Sequence, residues 1–178
     1  MKNQQTFKKK ILVMGLENSG KSSLILNLSG YDNIMDYYSL TPTIGDKANK
    51  LRKGDSDFIL WEIGGQEKYI NEYLKKLDKF LLETEEIFFL IDIQDVNKYE
   101  RALDYLNKIV KKIIELKNVL EITIFLHKYD HDILKYPQIN NTIIENLITS
   151  IKEIIPSNFY YEIYKTTLYM TLDKEHVY

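Results

Sequence analysis

The sequence predicts an α/β fold, a mostly parallel six-stranded sheet with helices on both faces. Three observations predict it. Short runs of strand length alternate with longer amphipathic stretches from Lys10 to Tyr164, the order expected of strand–helix–strand units. The run Ile87–Ile91 is continuously apolar, as a central strand covered on both sides should be. A glycine-bounded loop, Gly15-Leu16-Glu17-Asn18-Ser19-Gly20-Lys21-Ser22, joins the apolar run Ile11–Met14 to a helical pattern with Leu24, Ile25 and Leu28 on one face. The length, 178 residues, fits one domain, and an apolar content of 44% is ordinary for a globular chain.

The elements follow in order. Residues 1–9 are polar and read as a flexible N-terminus, with one domain over 10–178. The first strand is Lys10–Met14 and the first helix Lys21–Ser29, with Gly30 as its C-cap. Tyr31–Leu40 is polar and aromatic without a period and reads as a loop. Pro42 forbids a regular helix at Thr41-Pro42-Thr43-Ile44-Gly45. A polar strand spans Asp46–Lys53, Gly54-Asp55 turns, and Phe58–Trp61 is a buried strand. Two glycines, Gly64 and Gly65, follow as a mobile hinge. Tyr69–Leu82 reads as one helix, with apolar positions 70, 73, 74, 77, 80 and 81. Ile87–Ile91 is a strand, Tyr99–Leu116 an amphipathic helix and Glu121–Leu126 a strand. Asn141–Ile155 is a helix stopped by Pro156, and Phe159–Tyr164 is the last strand.

Composition narrows the function. The 24 basic and 26 acidic residues give a net charge of −2, which does not point to nucleic acid. With no cysteine, disulfides, thiolate metal sites, prenylation and S-acylation are excluded, and Lys2 excludes N-myristoylation. No apolar run approaches the length of a membrane span. The chain reads as cytoplasmic with no direct lipid anchor, recruited to a membrane only through a partner.

The loop Gly15–Ser22 fits G-x-x-x-x-G-K-[ST] between a strand and a helix, where the pattern has physical meaning. Its glycines let successive N–H groups curl around an anion, and the helix N-terminus adds donors and the positive dipole end. Lys21 supplies a charge for the outer phosphates and Ser22 a hydroxyl for Mg²⁺. A second segment, His127-Lys128-Tyr129-Asp130, follows a strand end. Asp130 can accept from both the N1–H and the 2-amino group of guanine, a donor pair adenine lacks, while the Lys128 stem can lie along the ring.

With these motifs the chain resembles the Ras-like small GTPases among the P-loop NTPases, and within them the Arf and Rag branches. Thr41–Gly45 and Trp61-Glu62-Ile63-Gly64-Gly65-Gln66 are Arf-like. His127 in place of Asn, the run from Gly64 to Tyr73, Ile91-Asp92-Ile93-Gln94-Asp95 and Tyr164-Lys165-Thr166-Thr167-Leu168-Tyr169 are Rag-like. The resemblance implies that Gly15, Glu17, Asn18, Ser19, Gly20, Lys21 and Ser22 hold the phosphates of GTP or GDP, with Ser23 on the α-phosphate. It implies that Ser22 and Thr43 ligate Mg²⁺, that Glu62 holds it through a water, and that the Gly65 amide senses the γ-phosphate. Gln66 would orient the attacking water. His127, Lys128, Asp130, Thr167 and Leu168 would hold guanine.

Three departures stand out. Glu62 replaces the usual Asp, so the Mg²⁺ geometry either alters or is restored by a slight backbone adjustment. His127 can donate to guanine N7 or to a loop carbonyl. The chain stops at Tyr178, where the family's last helix should begin, so it is either a piece of a longer protein or lacks that part. Arg52 and Arg101 lie near no motif, so the family mechanism needs an activating protein that supplies an arginine. An exchange factor, a second GTPase subunit or a scaffold are the other implied partners. Tyr37, Tyr38 and Tyr69 are either partner contacts or ordinary surface tyrosines. Three functions remain open: a slowly hydrolysing GTP switch of Rag or Arf type, a nearly permanent nucleotide-binding half of a heterodimer, and another P-loop enzyme such as a nucleotide kinase.

Overall fold

In the computed structural model, which describes residues 7–31 and 34–168, six strands form one sheet in the order β2-β3-β1-β4-β5-β6. The strands are β1 (Phe7–Gly15), β2 (Asp46–Lys53), β3 (Ser56–Ile63), β4 (Glu86–Asp92), β5 (Glu121–His127) and β6 (Tyr161–Thr166). All pair in parallel except β2, which runs antiparallel to β3 along the full register Asp46↔Ile63 to Lys53↔Ser56. The turn at Gly54 makes this hairpin: its φ of +62° is a left-handed value that glycine adopts without strain. β2 is therefore an edge strand, and its exposed, lysine-rich sequence is what an unpaired edge carries.

The chain starts at β1 and builds the sheet outward on both sides of it. Right-handed crossovers then force the helices onto opposite faces. α1 (Lys21–Leu28) leads to the β3 side, and its Leu24 and Ile25 pack with Ile11, Val13, Leu60 and Leu90. α3 (Glu67–Lys75), α4 (Leu77–Leu81), α5 (Tyr99–Glu115) and α6 (Asn141–Ile154) cover the other face. There Leu12, Met14, Ile87, Phe89 and Ile91 meet Leu77, Tyr105, Leu106, Ile109 and Leu147 in the main core. Since β1 has neighbours on both sides, the strand order reverses at its carboxyl end, the position where open α/β sheets hold ligands.

Several expectations are corrected. β1 begins at Phe7, earlier than Lys10, because Phe7–Val13 pair with Ser56–Glu62 whatever their polarity. Within Tyr31–Leu40, read as loop, Ile34–Tyr38 form the short helix α2; a single turn is too brief to leave a period in the sequence. The helix read over Tyr69–Leu82 starts at Glu67 and is broken at Lys76 (φ −104°, ψ 7°) into α3 and α4. A tightened turn there keeps Ile70, Tyr73, Leu77, Phe80 and Leu81 on one buried face, so the apolar period runs through the break. Lys10 fixes the end of α4, its Nζ donating to the carbonyls of Phe80 (2.8 Å) and Leu82 (2.6 Å). β6 spans Tyr161–Thr166 rather than Phe159–Tyr164. Residues from Tyr169 on, and with them the expected last helix, lie outside the described residues.

Tyr105 is the largest fully buried side chain, and its hydroxyl has no hydrogen-bond partner among the described residues. Burial pushes this phenol well above its ordinary pKa. Such a group is a standing cost, so Tyr105→Phe should leave stability unchanged or raise it by about 1 kcal/mol. Leu77→Ala, at a fully buried site, should lose about 2–5 kcal/mol. Urea unfolding of both variants checks this; a loss above about 1 kcal/mol in Tyr105→Phe would reveal a partner for the hydroxyl.

Candidate functional site

The loop between β1 and α1 lies at the reversal point of the sheet. Its shape needs left-handed backbone at Gly15 (φ +140°), Asn18 (+63°) and Gly20 (+92°). Lys21, the first residue of α1, is 5% exposed and folds back so that Nζ donates to the carbonyls of Leu16 (2.8 Å) and Gly15 (3.1 Å). Burial lowers its pKa to about 8, opposed by Glu62 and Glu17. Among the described residues the buried ammonium bonds backbone carbonyls and no carboxylate, which makes it an attractor for an anion. Ser19 is buried, and its hydroxyl has no partner among the described residues.

Three oxygens converge beside Lys21. Glu62, 3% exposed at the end of β3, accepts from Ser22 Oγ at 2.6 Å and from Thr43 Oγ1 at 3.0 Å; the two hydroxyls are 3.4 Å apart. They line one cavity with Lys21, Asn18, Ser23, Gly65 and Gln66. Gln66 is the N-cap residue of α3.

The glycine pair behaves differently from a hinge. Neither Gly64 nor Gly65 has a positive φ. A Cβ at Gly65 would lie 2.4 Å from Leu16 C, and one at Gly64 2.7 Å from Thr43 O. Backbone bonds reinforce both contacts: Glu17 N–H donates to Gly65 O (2.7 Å) and Gly64 N–H to Gly45 O (2.8 Å). Glycine is required here because backbones touch, and the contacts clamp 43–45 and 64–65 onto the loop. Tyr73 completes the clamp, its hydroxyl accepting from Gly45 N–H at 3.0 Å.

A second cavity adjoins the first and shares Gly20 and Ser23 with it. His127, Lys128, Asp130, Thr167 and Leu168 line it from the ends of β5 and β6. His127 is 2% exposed, and its ring edge packs on Gly20: a Cβ there would lie 2.3 Å from His127 Cδ2. Its Nδ1 is 3.0 Å from Thr166 Oγ1. Burial and the Lys128 ammonium lower its pKa against the pull of Asp92 and Asp130, which keeps the imidazole neutral near pH 7. Lys128 has a left-handed φ of +61°, and its Nζ pairs with Asp92 Oδ2 at 2.7 Å. Asp130 accepts from Thr167 Oγ1 (2.5 Å) and from Gln94 Nε2 (2.7 Å).

The site residues expected from the sequence therefore line two joined cavities, except Gly15 and Ser19, which lie in the loop behind them. Four more lie at or beside the cavities and were given no role in the sequence reading. Gln94 and Asp92 hold Asp130 and Lys128 across chain separations of 36 residues. Lys98, tied to Asp95 at 2.8 Å, lines the first cavity. Arg101, expected to lie near no motif, pairs with Glu67 beside Gln66 at 2.7 Å. Tyr37, taken as a partner contact or surface residue, lines the second cavity. Apart from the i,i+3 pair of Lys98 with Asp95, these pairings leave no local pattern; the one signal was the run Ile91–Asp95.

Comparison with known proteins agrees with this geometry. The model of the Gtr1/RagA G protein conserved region matches residues 10–173. ADP-ribosylation factor-like protein 9 of Homo sapiens is 31% identical over 122 residues, 68% of this chain and 59% of that protein. GTP-binding protein GTR1 of Saccharomyces cerevisiae is 29% identical over 126 residues, 69% of this chain and 40% of that protein. The matches thus span about half the length of these relatives. The Arl6 BBS3 small GTPase of Trypanosoma brucei, solved with the nucleotide analogue GppNp, has the same fold. Its TM-score is 0.65 at 15% identity, covering 90% of this chain and 87% of that one. No helix among the described residues is long and apolar enough to cross a membrane. The chain belongs to the Gtr1/RagA G protein family, in the Arf/Rag branch of the Ras-like small GTPases.

Proposed function

We propose that this chain is a guanine-nucleotide switch that binds GTP with Mg²⁺ and hydrolyses it slowly to GDP. The observation that carries this reading is the contact of Gly20 with His127, which joins a phosphate-binding loop to a loop able to read guanine. In this reading Lys21 and the amides of 15–22 hold the β- and γ-phosphates, with Ser23 beside the α-phosphate. Asp130 accepts from guanine, the Lys128 stem lies along the ring, and the Leu168 amide lies near its O6.

The donor set fits Mg²⁺. Ser22 Oγ, Thr43 Oγ1 and the Glu62 carboxylate are hard oxygens gathered within 3.4 Å of each other, the kind of ligand this cation takes. Ser22 and Thr43 would ligate it directly and Glu62 through a water. When bound, the cation supplies charge neutralisation for the β- and γ-phosphates. The Glu62 carboxylate reaches both hydroxyls from the end of β3, which supports its standing in for the usual Asp.

For hydrolysis, Gln66 positions a water in line with the γ-phosphate, and Lys21 stabilises the charge that develops as the bond to the β-phosphate oxygen breaks. Arg101 is held on Glu67 at the exposed start of α3, so an arginine for the transition state comes from an activating partner. The Gly65 amide senses the γ-phosphate. Its loss weakens the clamp of 43–45 and 64–65 on the loop, and that loosening is the output of the switch. In this reading the protein acts in the cytoplasm, and partners recruit it to a membrane or to a second GTPase subunit.

Two measurements test the reading. In competition binding the wild type should prefer GTP to ATP by at least about 100-fold, and Asp130→Ala should remove most of that preference. Equal affinity for both in the wild type would refute guanine recognition. In single-turnover hydrolysis, Gln66→Leu should slow GTP cleavage about tenfold or more with nucleotide affinity unchanged. Equal rates would remove Gln66 from the mechanism and favour a permanently loaded binding module.

A further inference from the structure

The side chain of Gln94 has a function that neither the motifs nor the family reading assigns. It lies just beyond β4, two residues after Asp92, and is half-buried in the wall of the second cavity. Its Nε2 donates to the carbonyl of Lys128 at 2.9 Å and to Oδ2 of Asp130 at 2.7 Å. A backbone carbonyl can only accept, so the end of the amide that faces it is the nitrogen. Alternate residues of one strand end thus hold alternate residues of the base-reading loop: Asp92 pairs with Lys128, and Gln94 with Asp130. Gln94 is itself braced, its backbone N–H donating to Asp92 Oδ1 at 3.0 Å.

This arrangement decides how the Asp130 carboxylate is turned. Rotation about its last side-chain bond is soft, because sp³–sp² torsions have broad minima. One donor would leave that rotation largely free. Here Thr167 holds Oδ1 and Gln94 holds Oδ2, from different elements, so the plane is fixed. Each oxygen keeps a further acceptor direction. Guanine offers two donors side by side, N1–H and the 2-amino group, and meeting both demands both oxygens in the plane of the base. Hypoxanthine offers N1–H alone, and a rotated carboxylate still meets it.

We infer that Gln94, by donating one amide to Asp130 and to the Lys128 carbonyl, sets the plane of the base-reading carboxylate and is a positioning residue for discrimination in favour of a 2-amino purine. The inference rests on the reading of Asp130 as the guanine acceptor.

The experiment is competition binding of GDP, IDP and ADP to the full chain with Mg²⁺, for the wild type, Gln94→Leu and Gln94→Glu. Affinity ratios measured on one sample do not depend on the fraction that is folded. In Gln94→Leu the GDP affinity should fall roughly tenfold or more, the scale of one hydrogen bond to a charged group. IDP affinity should fall much less, so the GDP/IDP ratio collapses. Gln94→Glu, which turns a second carboxylate toward Asp130, should lose at least as much of the ratio. A merely structural role would lower both affinities together, and an unchanged ratio in both variants overturns the inference. Wild-type affinity for ADP equal to that for GDP is a separate outcome; it removes the guanine reading and this inference with it.

Discussion

The edge of the His127 ring lies where a side chain on Gly20 would have to begin. The two residues come from the loops after β1 and β5, and those strands are not neighbours, since β4 lies between them. The loops can meet only by closing over the end of β4. There Asp92, the last residue of β4, and Gln94 just beyond it hold the second loop with their polar side chains. Any residue larger than glycine at position 20 would push the His127 loop away from the loop between β1 and α1. The contact fixes the distance between the two half-sites, and a single ligand of fixed length can bridge them only if that distance is held.

The same logic of backbone contact governs the other side of the site. Gly64 and Gly65 press on 43–45 and on the phosphate loop, leaving no room for a methyl group. A segment held by contact rather than by covalent stiffness can be released when one contact weakens. The clamp is therefore consistent with switching, although its glycines serve proximity and not backbone freedom. Lys21, next to Gly20, bonds the carbonyls of Gly15 and Leu16 in the same loop. Its buried charge, lowered toward neutral pH and tied only to carbonyls, is a cost that a bound phosphate offsets.

Much of this was legible in the sequence because it is periodic or local. β2 matches the expected span Asp46–Lys53, and α5 and α6 differ from expectation by one residue at their C-termini. The phosphate loop is one contiguous pattern, so Gly15 to Ser22 could be read directly. What the sequence hid is relational. The break at Lys76 preserves the apolar face that a period detects. The pairing of Arg101 with Glu67 and of Gln94 with Asp130 joins residues 34 and 36 positions apart, where no spacing rule applies. The glycine pair was visible, but whether a glycine is needed for its dihedral or for its lack of a Cβ depends on neighbours that only the fold supplies.

The central claim is that the two cavities form one site for one guanine nucleotide. The most direct measurement is to purify the protein under native conditions, release what it carries by denaturation, and identify it by chromatography and mass. The account predicts GDP or GTP in near-stoichiometric amount, reduced when Gly20 is replaced by valine, which would drive His127 out of place. An adenine nucleotide in that fraction, or guanine nucleotide retained in full by Gly20→Val, would contradict it.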